Sequence, residues 1–170
     1  MKTLTHIIHK PGMSITGRIL ERHAVRAICM RGAQILMVFS ASLGDYKFPG
    51  GGVQADEQPE VALQREVLEE CGARLLEIQR PFGQIIEYDT ALEPDYDVFR
   101  MISAYYICQI EQHFGLQSLD EYEYEAGFTP VWIDLDEVIQ ANTDLLEQGR
   151  APRWTQRELF VLNQLAHGIS

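Results

Sequence analysis

Three glutamates in one short segment of the chain are the residues best suited to chemistry. Glu66, Glu69 and Glu70 stand at positions i, i+3 and i+4, which places them within an arc of about 100° on a helix. Like charges at this spacing repel one another, and these lie at the negative end of the helix dipole. A divalent cation would reverse both effects, and carboxylate oxygens are ligands that suit Mg²⁺ or Mn²⁺. The alternative is a solvated acidic helix face, in which Arg65 and Glu69 form an ordinary i, i+4 ion pair.

A helix and a run of glycines must position these carboxylates. Pro59 suits the first position of a helix and Gly72 suits a left-handed stop, so a helix is predicted over residues 59–71. The face predicted to pack on the core consists of Val61, Leu63, Val67, Leu68 and Cys71. Before this helix the chain has three consecutive glycines, Gly50, Gly51 and Gly52. Because glycine has no side chain, the backbone here can approach a ligand closely.

Taken with their spacing, these residues resemble the Nudix box, Gly-x5-Glu-x7-Arg-Glu-U-x-Glu-Glu-x-Gly-U, where U is a bulky aliphatic residue. Its fixed positions are occupied by Gly51, Glu57, Arg65, Glu66, Val67, Glu69, Glu70 and Gly72. Ala73 departs from the pattern, because it is small where a bulky aliphatic residue is usual, but it lies beyond the metal-binding helix. By this resemblance the chain is identified as a member of the Nudix hydrolase family.

The resemblance implies an α/β fold, namely an α/β/α sandwich with a mixed β-sheet between helices. It also implies metal-dependent hydrolysis of a diphosphate linkage in a nucleoside diphosphate derivative: a nucleoside triphosphate, ADP-ribose, a nucleotide sugar or a dinucleoside polyphosphate. The alternative is a non-catalytic Nudix-fold domain that senses a nucleotide and regulates a partner. The intact glutamate cluster favours the enzyme, because a domain that only binds a nucleotide does not need all three carboxylates.

The resemblance further implies which residues act at the metal. Mg²⁺ or Mn²⁺ is expected as the cofactor, held by the three glutamates of the cluster and the carbonyl of Gly50 or Gly51. The proton acceptor is expected to be Glu69 or a glutamate in the loop before a Trp-containing strand. That loop offers Glu123 and Glu125, and Glu125 is the preferred candidate.

Other residues near the glutamates are expected to contact the substrate or to stabilise the glycine run. Gly51, Gly52 and Lys47 are expected to contact phosphate, although an exposed lysine on a strand is the common alternative for Lys47. Glu57 and Arg65 are expected to brace the glycine loop and the helix, as residues outside the ligand set do in metal sites.

Apolar and β-branched runs predict the remaining elements. The predicted strands are a hairpin of residues 24–30 and 35–40, a short strand at 46–48, separate strands at 74–79 and 83–88, and strands at 99–110 and 131–133. One helix is predicted from residue 134 or 136 to about residue 141. Another is predicted from Thr155 to Gly168, opened by a capping box of Thr155 and Glu158. Residues 111–128 are predicted to form an acidic surface loop.

The length and the net charge of the chain limit its possible domain organisation and partners. Its 170 residues suit one domain, with residues 1–22 as an N-terminal extension, forming an edge strand or a dimer contact, and residues 23–170 as the Nudix hydrolase domain. A net charge of -11 argues against general nucleic-acid or anionic-membrane binding, because no basic excess can displace counterions. The partner implied by the resemblance is a small-molecule nucleotide, and a homodimer is possible.

Cysteine usage and the N-terminal sequence predict the compartment. Cys29, Cys71 and Cys108 lie in apolar contexts without metal-type spacing, which predicts buried free thiols in a reducing cytoplasm. No signal peptide and no run of membrane-spanning length is evident. Substrate choice is expected to depend on the loops at residues 12–22, 89–97 and 111–128, which contain no recognisable motif.

Overall fold

The computed structural model describes residues 1–168, which contain eight strands and four helices. In chain order these are β1 (Thr3–Ile8), β2 (Ile19–Ile28), β3 (Met30–Arg31), β4 (Gln34–Ser40), β5 (Tyr46–Lys47), α1 (Pro59–Cys71), β6 (Leu75–Thr90), β7 (Val98–Ile110), α2 (Glu121–Ala126), β8 (Phe128–Asp134), α3 (Leu135–Glu147) and α4 (Thr155–Gly168).

The strands form two four-stranded sheets. In the first, the order is β1-β6-β7-β2, with β1 parallel to β6, β6 antiparallel to β7, and β7 parallel to β2. In the second, β4 pairs with β8 along its whole length, and with β3 and β5 at its two ends. The predicted mixed sheet is therefore confirmed, although the strands divide between two sheets.

Helices cover the sheets from two sides. On one side, Leu63 of α1 packs in a buried apolar cluster with Val25 and Leu36 from the sheets. On the other side, Val138 of α3 and Leu162 of α4 belong to a second buried cluster with strand residues. Burial of these apolar faces is the dominant force that joins the layers. The arrangement is the predicted α/β/α sandwich.

The bounds of α1 are those predicted, and its buried face is predicted in part, since Leu63, Val67 and Cys71 are buried. Gly72 ends the helix with φ 63° and donates its N–H to the carbonyl of Leu68 at 2.9 Å. Val61 and Leu68, predicted to face the core, are both 52% exposed, whereas Glu66 and Glu70 are buried. Glu70 is contacted by Lys47 and the Gly50 N–H from outside the helix, and Glu66 pairs with its neighbour Arg65, as described below.

Two strand predictions are wrong in detail. Residues 74–79 and 83–88 form one strand, β6, because β7 is long enough to pair with all of it and irregularities in the ladder accommodate Pro81. In the predicted hairpin, only residues 30–31 pair with β4, while β2 pairs with β7 in the other sheet.

The helical predictions also need correction. The predicted short helix at residue 134 is α3, which continues to Glu147, and the predicted loop of residues 111–128 contains α2. The predicted capping box of α4 is wrong. Thr155 Oγ1 has no hydrogen-bond partner among residues 1–168, and Glu158 instead accepts the N–H of Phe48 at 3.0 Å and pairs with Arg157.

The N-terminal residues belong to the first sheet, where β1 is an edge strand paired with β6. The division of the chain at residue 22 falls inside β2 and stays a prediction. Within the described residues, the three cysteines are free and buried, as predicted. None of the described helices is long and apolar enough to span a membrane.

Candidate metal centre

The glycine run lies along the outer edge of β2. Ala27 donates its N–H to the carbonyl of Pro49 at 2.8 Å, and Val25 donates to the carbonyl of Gly51 at 3.0 Å. Each hydrogen bond satisfies a backbone donor on the outer edge of β2, which would otherwise need water. Residues 49–52, called the glycine loop below, are thereby fixed against the sheet.

Gly50 joins this loop to α1. Its N–H donates to Glu70 Oε2 at 2.7 Å, and its carbonyl accepts a hydrogen bond from Arg26 Nη1. Its φ is 137°, and a Cβ at this position would lie 2.1 Å from the carbonyl oxygen of Val25. Only glycine fits here, because both the backbone angle and the close approach exclude a side chain.

Gly51 leaves room for a carboxylate. A Cβ built on it would lie 2.3 Å from Glu66 Oε2, so the oxygen occupies the space that a side chain would fill. At Gly52, by contrast, a Cβ would meet no atom of residues 1–168 within 4 Å. The glycine loop therefore forms a cradle for Glu66 and opens towards the cleft beyond it.

Three carboxylates converge beside this cradle. Glu66, Glu70 and Glu123 each offer one oxygen, and these oxygens lie within 4.8 Å of one another. Glu66 and Glu70 are only 8% and 1% exposed, and Glu123 is half-buried. Burial, together with the nearby Glu70 carboxylate, raises the pKa of both Glu66 and Glu123. A group of hard oxygen donors that repel one another in a buried place fits a divalent cation such as Mg²⁺ or Mn²⁺.

Helix α2 and the segment before it deliver Glu123. Asp120 Oδ1 accepts the N–H of Glu123 at 2.8 Å, and Glu123 Oε2 accepts the N–H of Asp120 at 3.0 Å, so the two residues form a capping box. Gln117 Nε2 donates to the carbonyls of Glu70 at 2.6 Å and Phe128 at 3.0 Å. These bonds fasten the segment to the last turn of α1.

The structure does not bring Glu125 into this cluster. Glu125 is exposed, and two residues along a helix correspond to a rotation of about 200°, which separates its direction from that of Glu123. The sequence does contain a signal for the difference, because Asp120 and Glu123 have the spacing of a capping box. A catalytic role for Glu125 stays a prediction.

Arg65 connects the glycine loop, α1 and Glu57. Its guanidinium donates to both oxygens of Glu57 at 2.9 Å and to the carbonyl of Gly52 at 3.0 Å. It also donates to Glu66 Oε1 at 2.7 Å and to Glu69 Oε2 at 3.1 Å. Hydrogen bonds from Arg65 lower the pKa of Glu57 to about 2. The i, i+4 pair of Arg65 and Glu69 is thus one contact among five.

Lys47 faces the carboxylate cluster. Its Nζ lies 2.5 Å from Glu70 Oε1 and 4.2 Å from the ring centroid of Phe128. The side chain is 13% exposed, so the alternative of an exposed strand lysine is wrong. The cation and the carboxylate form a nearly buried ion pair within the cluster.

A cleft of about 420 Å³ opens beside these groups. It is lined by Gly51, Gly52, Gln54, Arg65, Glu66, Glu69, Ser118, Leu119, Asp120 and Glu123. Glu69 is the most exposed glutamate of the original three, with 38% of its side chain open to solvent. The cleft therefore brings five of the predicted site residues to one surface, namely Gly51, Gly52, Arg65, Glu66 and Glu69.

A second cleft of about 580 Å³ lies at the ends of β1 and β6 and the start of α4, and its lining includes Arg22, Asp89 and Leu92 from the segments predicted to affect substrate choice. Phe99 and Trp154 contribute aromatic surface there, and Glu87 and Asp89 are buried polar residues in its lining. The predicted specificity loops meet nearby, since Arg18 donates its N–H to Asp97 Oδ2 at 2.7 Å.

Comparisons with known proteins find related sequences and related folds. A family model described as the NUDIX domain matches residues 20–155. An RNA pyrophosphohydrolase from Sulfurovum sp. (strain NBC37-1) is 33% identical over 103 residues, which cover 58% of this chain and 64% of that relative. The aligned region thus spans less than two thirds of the relative.

Solved structures share the fold at low sequence identity. A MutT NUDIX hydrolase from Burkholderia pseudomallei superimposes with a TM-score of 0.52 at 20% identity, covering 69% of this chain and 85% of that one. A mutator MutT protein from Bacillus halodurans gives a TM-score of 0.53 at 21% identity, covering 71% and 72%. At such identities the likeness concerns the fold alone.

Proposed function

Since the chain belongs to the NUDIX family of hydrolases, we propose that it is a metal-dependent pyrophosphohydrolase. Its substrate is a nucleoside diphosphate derivative: a nucleoside triphosphate, ADP-ribose, a nucleotide sugar or a dinucleoside polyphosphate. The observation that carries this proposal is the convergence of Glu66, Glu70 and Glu123, whose oxygens lie within 4.8 Å of one another beside an open cleft.

Each side chain of the site has a distinct task in this proposal. Glu66, Glu70 and Glu123 hold Mg²⁺ or Mn²⁺, which when bound would neutralise phosphate charge and lower the pKa of water. Arg65, which is itself held by Glu57, keeps the Glu66 carboxylate in position. Fixed donors and ligands of this kind supply orientation, which is a large part of the rate gain in hydrolysis.

Glu69 is the proton acceptor in this proposal. It lines the same cleft as Glu66, but its greater exposure lets its carboxylate reach a water molecule. The backbone of Gly51 and Gly52 borders the cleft and contacts the substrate phosphates. The carbonyl of Gly50, expected as a metal ligand, accepts a hydrogen bond from Arg26. To bind the metal ion, the carbonyl oxygen would either keep this hydrogen bond as well or lose it.

A second candidate substrate is the 5′ end of an RNA that carries a diphosphate linkage. The Sulfurovum relative is named as an RNA pyrophosphohydrolase, which favours it. The net charge of -11 opposes extended contacts with a nucleic-acid backbone, because few phosphates would be neutralised. A small nucleotide therefore remains the first candidate.

Product identification tests the function directly. The protein is incubated with a pooled panel of nucleotides and 5′-triphosphorylated RNA in Mg²⁺ or Mn²⁺, and products are identified by mass spectrometry. Release of pyrophosphate and a nucleoside monophosphate would identify a triphosphate, and two phosphorylated halves an ADP-ribose-like substrate. Binding without any cleavage would contradict the proposal and favour a nucleotide sensor.

Glu69→Gln is expected to separate catalysis from metal binding. Removing a general base lowers turnover by about 10²–10⁴-fold, whereas the other three carboxylates still bind the ion. Turnover is measured with the substrate found in the panel, and Mn²⁺ affinity by electron paramagnetic resonance of the free ion. Wild-type turnover in this variant would remove Glu69 from the role.

Glu123→Ala and Glu125→Ala form a matched pair on α2. We expect Glu123→Ala to weaken Mn²⁺ binding by at least about tenfold, because losing even a partner outside a ligand set costs about 10–100-fold. Glu125→Ala removes the same charge from an exposed position and should change the affinity by less than about twofold, as for most surface substitutions. The reverse result would assign the loop ligand to Glu125.

We also propose that the protein resides in the cytoplasm. The three cysteine thiols are free and buried in apolar surroundings, as is usual for proteins of a reducing compartment.

A further inference from the structure

We propose that Lys47 competes with the metal ion for Glu70, so that binding of metal and binding of polyphosphate at this site are coupled. The inference rests on the proposed function for the identity of the site. It concerns the energetics of assembling that site, and it gives Lys47 a part beyond simple attraction of phosphate.

The contacts of Glu70 carry the inference. Both oxygens of this carboxylate are already bonded, one to Lys47 Nζ at 2.5 Å and the other to the N–H of Gly50 at 2.7 Å. The residue is 1% exposed, so water screens its charge little. The Lys47 ammonium therefore neutralises Glu70 from a position within the ligand cluster.

A divalent cation bound at Glu70 would lie close to this ammonium. Repulsion between two cations in a poorly screened place is strong, so Lys47 must withdraw as the metal binds. Metal binding alone therefore includes the cost of breaking a nearly buried ion pair.

Lys47 is able to make this exchange, whereas Arg65 is not. Among residues 1–168, its ammonium has one carboxylate partner. It is carried by a flexible four-carbon stem, and the ammonium lies over the Phe128 ring. Arg65 is fixed by contacts to Glu57 and to two glutamates of the cluster. Lys47 is thus the cation of the cluster that is free to follow an incoming charge.

A polyphosphate brings that charge. Lys47 immediately precedes Phe48 and the glycine loop, whose backbone borders the cleft proposed for phosphate. When phosphate oxygens replace Glu70 as the partner of Lys47, the carboxylate is released to the metal. Linkage then requires polyphosphate to tighten metal binding and metal to tighten polyphosphate binding by the same factor.

Lys47→Met tests the competition, because methionine keeps a linear apolar side chain over Phe128 and removes the charge. We expect this variant to bind Mn²⁺, without any other ligand, at least about fivefold more tightly than the wild type, the lower end of usual coupling between sites. Affinity is measured by electron paramagnetic resonance of free Mn²⁺. Lys10→Met is the control, since it removes the same charge at a half-exposed site beside Thr90 and Asp89.

Imidodiphosphate, a non-hydrolysable pyrophosphate analogue, tests the coupling. It should tighten Mn²⁺ binding to the wild type, after correction for its own Mn²⁺ complex, and do so by a smaller factor in Lys47→Met. Because this measurement also uses the wild type alone, an absent coupling there overturns the proposal even if the variant does not fold. Lys47→Gln provides a second variant.

The outcomes are distinct. Equal Mn²⁺ affinity in wild type and Lys47→Met, or an equal gain in Lys10→Met, overturns the competition and leaves the proposed function intact. Absence of Mn²⁺ binding in both proteins overturns the metal site itself, and this inference with it. Tighter binding confined to Lys47→Met, with reduced coupling, supports the proposal.

Discussion

Glu70→Gln is expected to lower turnover by about 10²–10⁴-fold, as much as the loss of the proposed general base. The estimate follows because a metal ion acting as a Lewis acid supplies several kcal/mol of transition-state stabilisation, and each 1.4 kcal/mol is a factor of ten in rate. Glutamine keeps the size of the side chain but removes the negative charge that attracts a divalent cation. Turnover is followed with the substrate identified by the product panel. A variant within tenfold of the wild type would exclude Glu70 from the ligand set.

The same substitution should also reduce stability, because Lys47 loses its partner. We expect a decrease of about 1–3 kcal/mol in the free energy of unfolding, below the 3–5 kcal/mol typical of a fully buried pair, since the lysine can partly reach water. Urea denaturation measures this decrease. The double variant Glu70→Gln/Lys47→Met is the control: it should recover stability but not turnover. If it is no more stable than Glu70→Gln, the ion pair is not the cause.

Gly50→Ala is expected to have the largest effect on stability. Its φ of 137° is strained for any L-residue, and the new Cβ would lie 2.1 Å from the carbonyl oxygen of Val25. Strain of this backbone kind costs about 1–3 kcal/mol, and the clash with fixed backbone adds to it, so a loss of about 3 kcal/mol or more is expected. Thermal and urea unfolding provide the measurement.

Gly52→Ala is the matched control, two residues along the same loop. A Cβ there meets no atom of residues 1–168 within 4 Å, so stability should change by no more than about 0.5 kcal/mol, as for most surface substitutions. Similar losses in both variants would show that the loop tolerates no side chain at all. That result would contradict the specific argument from Gly50.

Structural features set by residues close together in the sequence could be predicted, whereas those set by contacts between distant residues could not. Pro59 and Gly72 predicted the bounds of α1 correctly, because both act through the backbone of the helix end itself. Its buried face could not be read from apolar residues alone. Glu70 is buried against Lys47 and the Gly50 N–H, which come from outside α1, whereas Glu66 lies in the space left at Gly51 and pairs with the adjacent Arg65.

The β-strands show the same division. A break was predicted between residues 79 and 83, but β7 pairs with β6 on both sides of it and irregularities in the ladder accommodate Pro81. The rotation of α2 about its axis determines which glutamate of the acidic run after Asp120 reaches the carboxylate cluster. The resemblance to a family could place a glutamate in that segment, but only the capping box decides its position.

The attachment of the glycine loop to β2 has a consequence for association between molecules. β2 lies at the end of its sheet, and such a strand offers unpaired N–H and C=O groups to any other chain. The bonds from Ala27 to Pro49 and from Val25 to Gly51, with the bridge between Ala24 and Gly52, cover this edge. The loop that borders the proposed metal-binding cleft thus also covers this edge of the sheet, where it would hinder pairing with a strand of another molecule.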